Sequence, residues 1–378
     1  MGFMDRYKAF AELSDEEVRA DFKSKADERR ERELAKVELL DLTRTTADEL
    51  PHPAVAAAIS FAAKRALNLE PDPQSSELRD ILASHSGLPH GQVAVGPGAA
   101  GLITALAAAV TTATDQVLVQ WPSYRLHPII ARAGGAEAVP LTTGRDVEEI
   151  ASAAHRAGSS PLLILTNPND PDGHLLTAGD IERLRGILPA ETLLVVDEAL
   201  CHYAGESHIT AMDSLVAETE GLMLVRTFSK AWGLAGLRTG CLLGGPDSAE
   251  LIARLTPVLG VPAPSEAGCL AALHEARGQM EARVSAVTKE RERLESLLRG
   301  STVDLAQGSA ANLAWARVPG LTSAELAAQV RASGVIVGDG SELGDSERLR
   351  AAIRGDQTAT DRLAEGLLAA AAHAAANA

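Results

Sequence analysis

The sequence predicts an α/β fold. A mainly parallel sheet of seven strands is covered by helices on both faces, and a smaller α+β domain follows it. Three observations carry this prediction. Short runs such as 162–165 and 193–196 are wholly apolar, so both of their faces must be buried. Between such runs lie stretches with the apolar spacing of helices. After about residue 260 this rhythm stops, and one long charged helix leads into strands and helices of mixed order.

Composition bounds the function. The chain has 378 residues and is 46% apolar, enough for a large core. Lys and Arg number 35 against 51 Asp and Glu, a net charge of −16 that repels phosphate backbones and argues against a nucleic-acid partner. Cys201, Cys241 and Cys269 have neither metal-ligand spacing nor a disulfide framework, so no metal site is expected. The start of the chain lacks an apolar leader core, and no apolar run reaches the length of a membrane span. A cytoplasmic protein is expected, with no membrane partner.

In chain order, residues 1–45 form a charge-dense arm ending in a strand-like piece at 37–42. Helices are expected at 53–66 and 75–85. The large domain, 46–259, then alternates strand 93–95, helix 99–111, strand 117–120, helix 123–133, strand 138–141, helix 146–156 and strand 162–165. Helix 177–187, strand 193–196, helix 211–219, strand 222–226 and strand 240–243 complete it. The small domain, 260–378, has a long helix at 276–298, strand 312–317, helix 322–332, strands 335–337 and 348–353, and helix 358–375. The alanine-rich tail from 369 is expected to fray.

Ligands of open α/β sheets sit at the carboxyl ends of the strands, so the residues following each strand are the candidates. Gly96-Pro97-Gly98-Ala99-Ala100-Gly101 opens a helix with small residues, which lets backbone N–H groups approach a phosphate. Thr166-Asn167-Pro168-Asn169-Asp170 begins a polar turn. Asp197-Glu198 ends a buried strand, where a carboxylate is costly unless a cation or a donor meets it. Thr227-Phe228-Ser229-Lys230, followed by Arg238, sets one lysine among two hydroxyls and a guanidinium. Hydroxyls and Arg suit a phosphate, and a lysine in a partly apolar setting loses its proton and forms imines. Taken singly, these features also read as turns, a loop, a helix cap and an exposed lysine. Together they supply what pyridoxal phosphate requires.

The run Ser229-Lys230-Ala231-Trp232-Gly233-Leu234-Ala235-Gly236-Leu237-Arg238 resembles the lysine signature of fold-type-I pyridoxal-phosphate enzymes, the class I/II aminotransferases, and among them the histidinol-phosphate aminotransferases. The resemblance spans about residues 40–370. It implies a homodimer that uses pyridoxal phosphate to act on an amino acid, with a keto acid as acceptor. It implies that Lys230 carries the cofactor and shuttles protons, that Asp197 pairs with the ring nitrogen, and that Tyr124 stacks on the ring. Gly98, Ala99, Ala100, Thr227, Ser229 and Arg238 would hold the phosphate. Arg350 would grip the substrate carboxylate, with Arg354 a second candidate and Asn312 beside them. Three positions depart from the family. Asp170 and Leu200 stand where it usually has an Asn and a Tyr that donate to the cofactor's phenolic oxygen, and Glu70 stands where a Tyr reaches the partner's phosphate. His202 and Tyr203 are the nearby replacements for the lost donors. The same turn resembles in part that of threonine-phosphate decarboxylases, so decarboxylation, or a specialised oxidation or elimination, is the alternative reaction. A non-catalytic protein on this fold is a third possibility.

Overall fold

The computed structural model describes residues 39–142, 146–158, 160–256 and 260–377. The arm expected at the start of the chain lies outside these up to residue 38. Strand β1 (Leu40–Asp41) comes first, then helices α1 (Pro53–Ala66) and α2 (Ser76–Ser86). The sheet region follows: β2 (Val93–Gly96), α3 (Gly98–Val110), β3 (Gln116–Trp121), α4 (His127–Ala131), β4 (Glu137–Thr142), α5 (Val147–Ala157), β5 (Leu162–Thr166), α6 (Ala178–Ile187), β6 (Leu193–Asp197), α7 (Glu206–Glu218), β7 (Leu222–Thr227) and β8 (Gly240–Gly244). These seven strands form one sheet in the order β2-β8-β7-β6-β5-β3-β4, parallel except for β8, which runs antiparallel to both neighbours.

Side-chain alternation explains the unbroken apolar runs. Leu163, Leu165, Leu194, Val196, Leu222 and Leu224 point to one core with α5, α6 and α7. Their strand neighbours Leu162, Ile164, Val195, Met223 and Val225 point to a second core with α3 and α4. Each strand therefore buries both faces, as period-2 geometry with two covering layers demands.

Helices α8 (Ala249–Leu255), α9 (Ala263–Glu275) and α10 (Arg277–Leu298) lead to β9 (Asp304–Leu305), β10 (Leu313–Arg317), α11 (Ser323–Ala332), β11 (Val335–Ile336), β12 (Gly338–Asp339), β13 (Arg348–Ala352) and α12 (Gln357–Ala376). An antiparallel sheet, β12-β13-β10-β9, packs under α10, α11 and α12. Helix α9, which lies beyond the boundary expected at 260, packs on α1. Its Gly268 lets the two approach, because a Cβ there would stand 2.9 Å from the Ile59 side chain. In the other direction β1 pairs in parallel with β11, and Leu42 enters the C-terminal core.

Some local expectations need correction. Residues 123–126 form a turn, and α4 occupies only His127–Ala131, with Pro128 in its first turn, where a missing N–H is harmless. Helix α7 begins at Glu206, five residues before the expected start at 211. The strand expected at 335–337 is β11, which pairs with β1 rather than entering the antiparallel sheet. The alanine-rich tail stays helical to Ala376, because Ala370 and Ala371 are buried in the C-terminal core. Helices α8 and α9 had no expectation. The small residues of α9 (Ser265, Gly268, Cys269, Ala272) form its buried face and carry little amphipathic contrast.

Candidate active site

The carboxyl ends of β3, β5, β6 and β7 converge on a cavity. It is lined by Thr46, Ala99, Ala100, Tyr124, Thr166, Asp170, Asp197, Ala199, Leu200, Thr227, Ser229, Lys230, Ala235 and Arg238. Asp197 closes β6, in register with Thr166 at the end of β5. Its Oδ1 accepts from the Ala199 N–H at 3.0 Å, and its Oδ2 lies 3.0 Å from His127 Nε2. Facing a carboxylate, that nitrogen carries the proton and donates it. His127 is fully buried, so the pair is well shielded from water. Its other nitrogen faces the Thr166 hydroxyl at 3.4 Å, and Ser123 ties Thr166 (2.7 Å) to Asn169 (3.0 Å). Tyr124 meets the His127 ring edge-on, with centroids 5.3 Å apart. Burial, with Asp197 and Asp170 nearby, raises the Tyr124 hydroxyl pKa, so the phenol keeps its proton.

Lys230 lies just beyond β7, and its Nζ donates to the Thr45 hydroxyl. Burial lowers its pKa. Arg350 and Arg238 push in the same direction, and Asp170 and Asp197 partly oppose them. The result is an amine that loses its proton more readily than a surface lysine.

A cradle of donors faces the same cavity. Pro97, the N-cap of α3, provides no side-chain cap, so the first N–H groups of that 13-residue helix stay open. The Thr227 hydroxyl donates to Ser229 Oγ at 2.9 Å, and Arg238 Nη1 donates to Ser229 Oγ at 3.4 Å. Gly98 has φ +76°, and a Cβ there would stand 3.0 Å from Arg238 Nη2. Gly240 is tighter still: a Cβ would lie 2.5 Å from the Arg226 carbonyl oxygen and 3.1 Å from Ala99 N.

Arg350 turns its guanidinium to Asp170. Its Nη1 donates to both carboxylate oxygens at 2.9 Å, and its Nη2 donates to the Thr43 carbonyl at 2.9 Å. Arg354 lies apart: it bonds Asp48 and the Asp41 carbonyl and borders a different cavity with Glu49 and Arg283. Asn312 is buried, with Nδ2 donating to the Thr45 carbonyl at 3.1 Å. It therefore orients the chain that meets Lys230 rather than lining the cavity. Leu200 lines the cavity and donates nothing. The replacements expected for the lost donors are elsewhere. His202 accepts from Trp232 Nε1 at 3.1 Å, and Tyr203 packs in the C-terminal core. Glu70 is exposed.

Sequence reasoning missed His127, Thr45, Thr46 and Gly240. His127 sits in a segment read as plain helix. The threonines are far from Lys230 in sequence, and Gly240 stands inside a strand, where a glycine signals close backbone approach.

Pyridoxal phosphate is an anion joined to an aldehyde-bearing pyridine. The donor set fits it: open N–H groups, hydroxyls and Arg238 for the anion, and a buried carboxylate and a deprotonation-prone lysine in the same cavity.

Comparison with known proteins agrees. The family model for class I and II aminotransferases matches residues 38–367. An aromatic amino acid aminotransferase of Corynebacterium efficiens is 33% identical over 76% of this chain and 82% of its own. A histidinol-phosphate aminotransferase of Mesorhizobium japonicum is 34% identical over 68% of this chain and 70% of its own. In fold, the chain is similar to the histidinol-phosphate aminotransferase of Sinorhizobium meliloti in complex with pyridoxal-5'-phosphate, with TM-score 0.77 at 24% identity over 92% of this chain and 94% of that one. The aspartate aminotransferase of Thermus thermophilus with maleate gives 0.76 at 21%, covering 93% and 95%. The chain belongs to the class I and II aminotransferases.

Proposed function

We propose that this aminotransferase holds pyridoxal phosphate at Lys230 and passes an amino group from a small-molecule amine donor to a keto acceptor. The observation that carries the reading is the meeting of Lys230, its pKa lowered by burial, with the buried Asp197–His127 pair and the open donors of α3 in one cavity. When bound, the cofactor supplies an aldehyde that condenses with amines and a ring that takes up electrons from the bond broken at the substrate carbon.

The residues divide the remaining work. With the cofactor held, Lys230 would serve as general base and acid, taking the proton from the substrate carbon and returning it. Asp197, fixed by His127 and the Ala199 N–H, holds a proton on the ring nitrogen. Thr227, Ser229, Arg238 and the N–H groups of Ala99 and Ala100 bind the phosphate. Tyr124, which lines the cavity, would help hold the ring.

The same reading includes a homodimer. Leu50, Phe61, Leu67 and Leu69 expose large apolar side chains on and just beyond α1, and α1 borders the α9 layer. Sedimentation should give about twice the 39.4 kDa chain mass.

Borohydride reduction of the cofactor-loaded protein, followed by peptide mapping, tests the site. The label should fall on Lys230. Label on another lysine, or none with cofactor bound, refutes the assignment.

A further inference from the structure

We propose that Asp170 determines specificity: it neutralises Arg350 and so turns the site away from substrates that carry a carboxylate on the amine-bearing carbon. The favoured substrates are amines bearing a neutral group there, amino alcohols above all. This rests on the reading of Lys230 as the reacting lysine.

Two guanidiniums act on Lys230, Arg238 and Arg350. Arg238 belongs to the phosphate cradle with Ser229 and α3. Arg350, on β13, is the cation that the family resemblance sets against the substrate, and it meets the cavity through Asp170. A carboxylate meets an Arg best through two parallel bonds along one edge of the guanidinium. Both terminal nitrogens already have partners. Asp170 draws both its bonds from Nη1, and the Thr43 carbonyl accepts from Nη2. Asp170 is itself buried and lines the cavity, so it is a fixed charge in the site rather than a solvated one.

An arriving carboxylate must displace Asp170 from Arg350 and then lie beside it as a second anion. Two carboxylates at one guanidinium repel, and the displaced one is left buried without its partner. A hydroxymethyl group has neither cost. It donates to Asp170 and leaves the ion pair intact. The same subsite receives the oxo product and the returning oxo substrate, so the preference applies in both directions.

The test compares wild type with Asp170→Asn, which keeps the shape and one acceptor for Arg350 but removes the charge. The cofactor-loaded enzyme is mixed with L-amino acids and with the amino alcohols of the same side chains. The loss of the absorbance of the lysine-bound cofactor is followed in single turnover. Wild type should bind the amino alcohols at least about tenfold more tightly. Asp170→Asn should tighten the apparent Kd of the amino acids by about tenfold or more. A second readout needs no turnover: propionate, titrated against both proteins by calorimetry, should bind Asp170→Asn more tightly than wild type. A variant that binds propionate no better than wild type overturns the inference, whether both bind it or neither does. So does a wild type that prefers amino acids, a result that stands even if the variant misfolds. Reductive labelling of Lys230 is independent of these outcomes, so its failure would strike the function and theirs would strike only Asp170.

Discussion

Gly240→Ala puts the phosphate cradle to a quantitative test. Position 240 sits on β8, where the sheet passes under the start of α3. An added Cβ would lie 2.5 Å from the Arg226 carbonyl oxygen, 3.1 Å from Ala99 N and 3.1 Å from the Gly98 carbonyl carbon. All three are backbone atoms, so no rotamer change relieves them. Ordinary contact begins at 3.4 Å, so β7, β8 or α3 must give by nearly 1 Å at the closest of them. Overpacking of this kind costs about 1–3 kcal/mol. Part falls on the fold and part on the cradle, because the atoms displaced include the first N–H groups of α3. If the cradle takes at least half of a mid-range cost, cofactor affinity falls about fivefold to tenfold. Cofactor titration by absorbance and urea unfolding of the cofactor-free protein separate the two shares. Gly186→Ala, on α6 with open space around its Cβ position, is the control and should leave cofactor affinity unchanged. A Gly240→Ala protein with wild-type affinity and wild-type unfolding midpoint would refute the packing argument.

The other predictions concern charge and burial. Asp197→Asn should keep the fold yet slow the reaction with amines by about a hundredfold or more, read in single turnover, because the neutral side chain no longer holds the ring proton. Lys230 has a lowered pKa when folded, so between that value and 10.5 the unfolded chain binds more protons and stability rises with pH. Urea unfolding of the cofactor-free protein should show this rise in wild type and not in Lys230→Met, which should also be the more stable of the two at neutral pH. Burial pushes the pKa of His202 down to about 4, so acid weakens the fold between the usual 6.5 and that value. His202→Gln should lose less stability over that range than wild type. The thiols of Cys201, Cys241 and Cys269 are buried with raised pKa values, so a thiol reagent should label them only after denaturation.

The sheet was legible because its strands are buried on both faces, which leaves runs such as Leu162–Thr166 without polar interruption. Lys230, Asp197 and Arg238 were legible because they follow strands at the end where such sheets bind ligands. What the sequence hid was long-range. Nothing local to His127 reveals that it meets Asp197, 70 residues on. Nothing local to Asp170 reveals that Arg350, 180 residues away, takes both its oxygens. Asp197 and Glu198 look equivalent as a pair, yet strand geometry sends them to opposite faces. Asp197 reaches the cavity, and Glu198 is buried against Arg226 at 2.8 Å and His208 at 3.3 Å. Burial alone would raise the Glu198 pKa, but those partners lower it. Helix α9 hid for a different reason: small residues on a buried face leave no amphipathic stripe to read.

The stretch from β1 to Thr45 joins the C-terminal region to the cavity: its backbone bonds to the first, and the side chain at its end reaches the second. Asp41 and Leu42 hydrogen-bond with the C-terminal region, and Leu42 is anchored in its core. Thr43 offers its carbonyl to Arg350, Thr45 offers its hydroxyl to Lys230, and Asn312 fixes the Thr45 carbonyl. Within six residues the chain runs like a tendon from the C-terminal region to Lys230. A single cut between Leu42 and Thr45 would part the anchor at Leu42 from the bond to Lys230 while leaving both sheets whole.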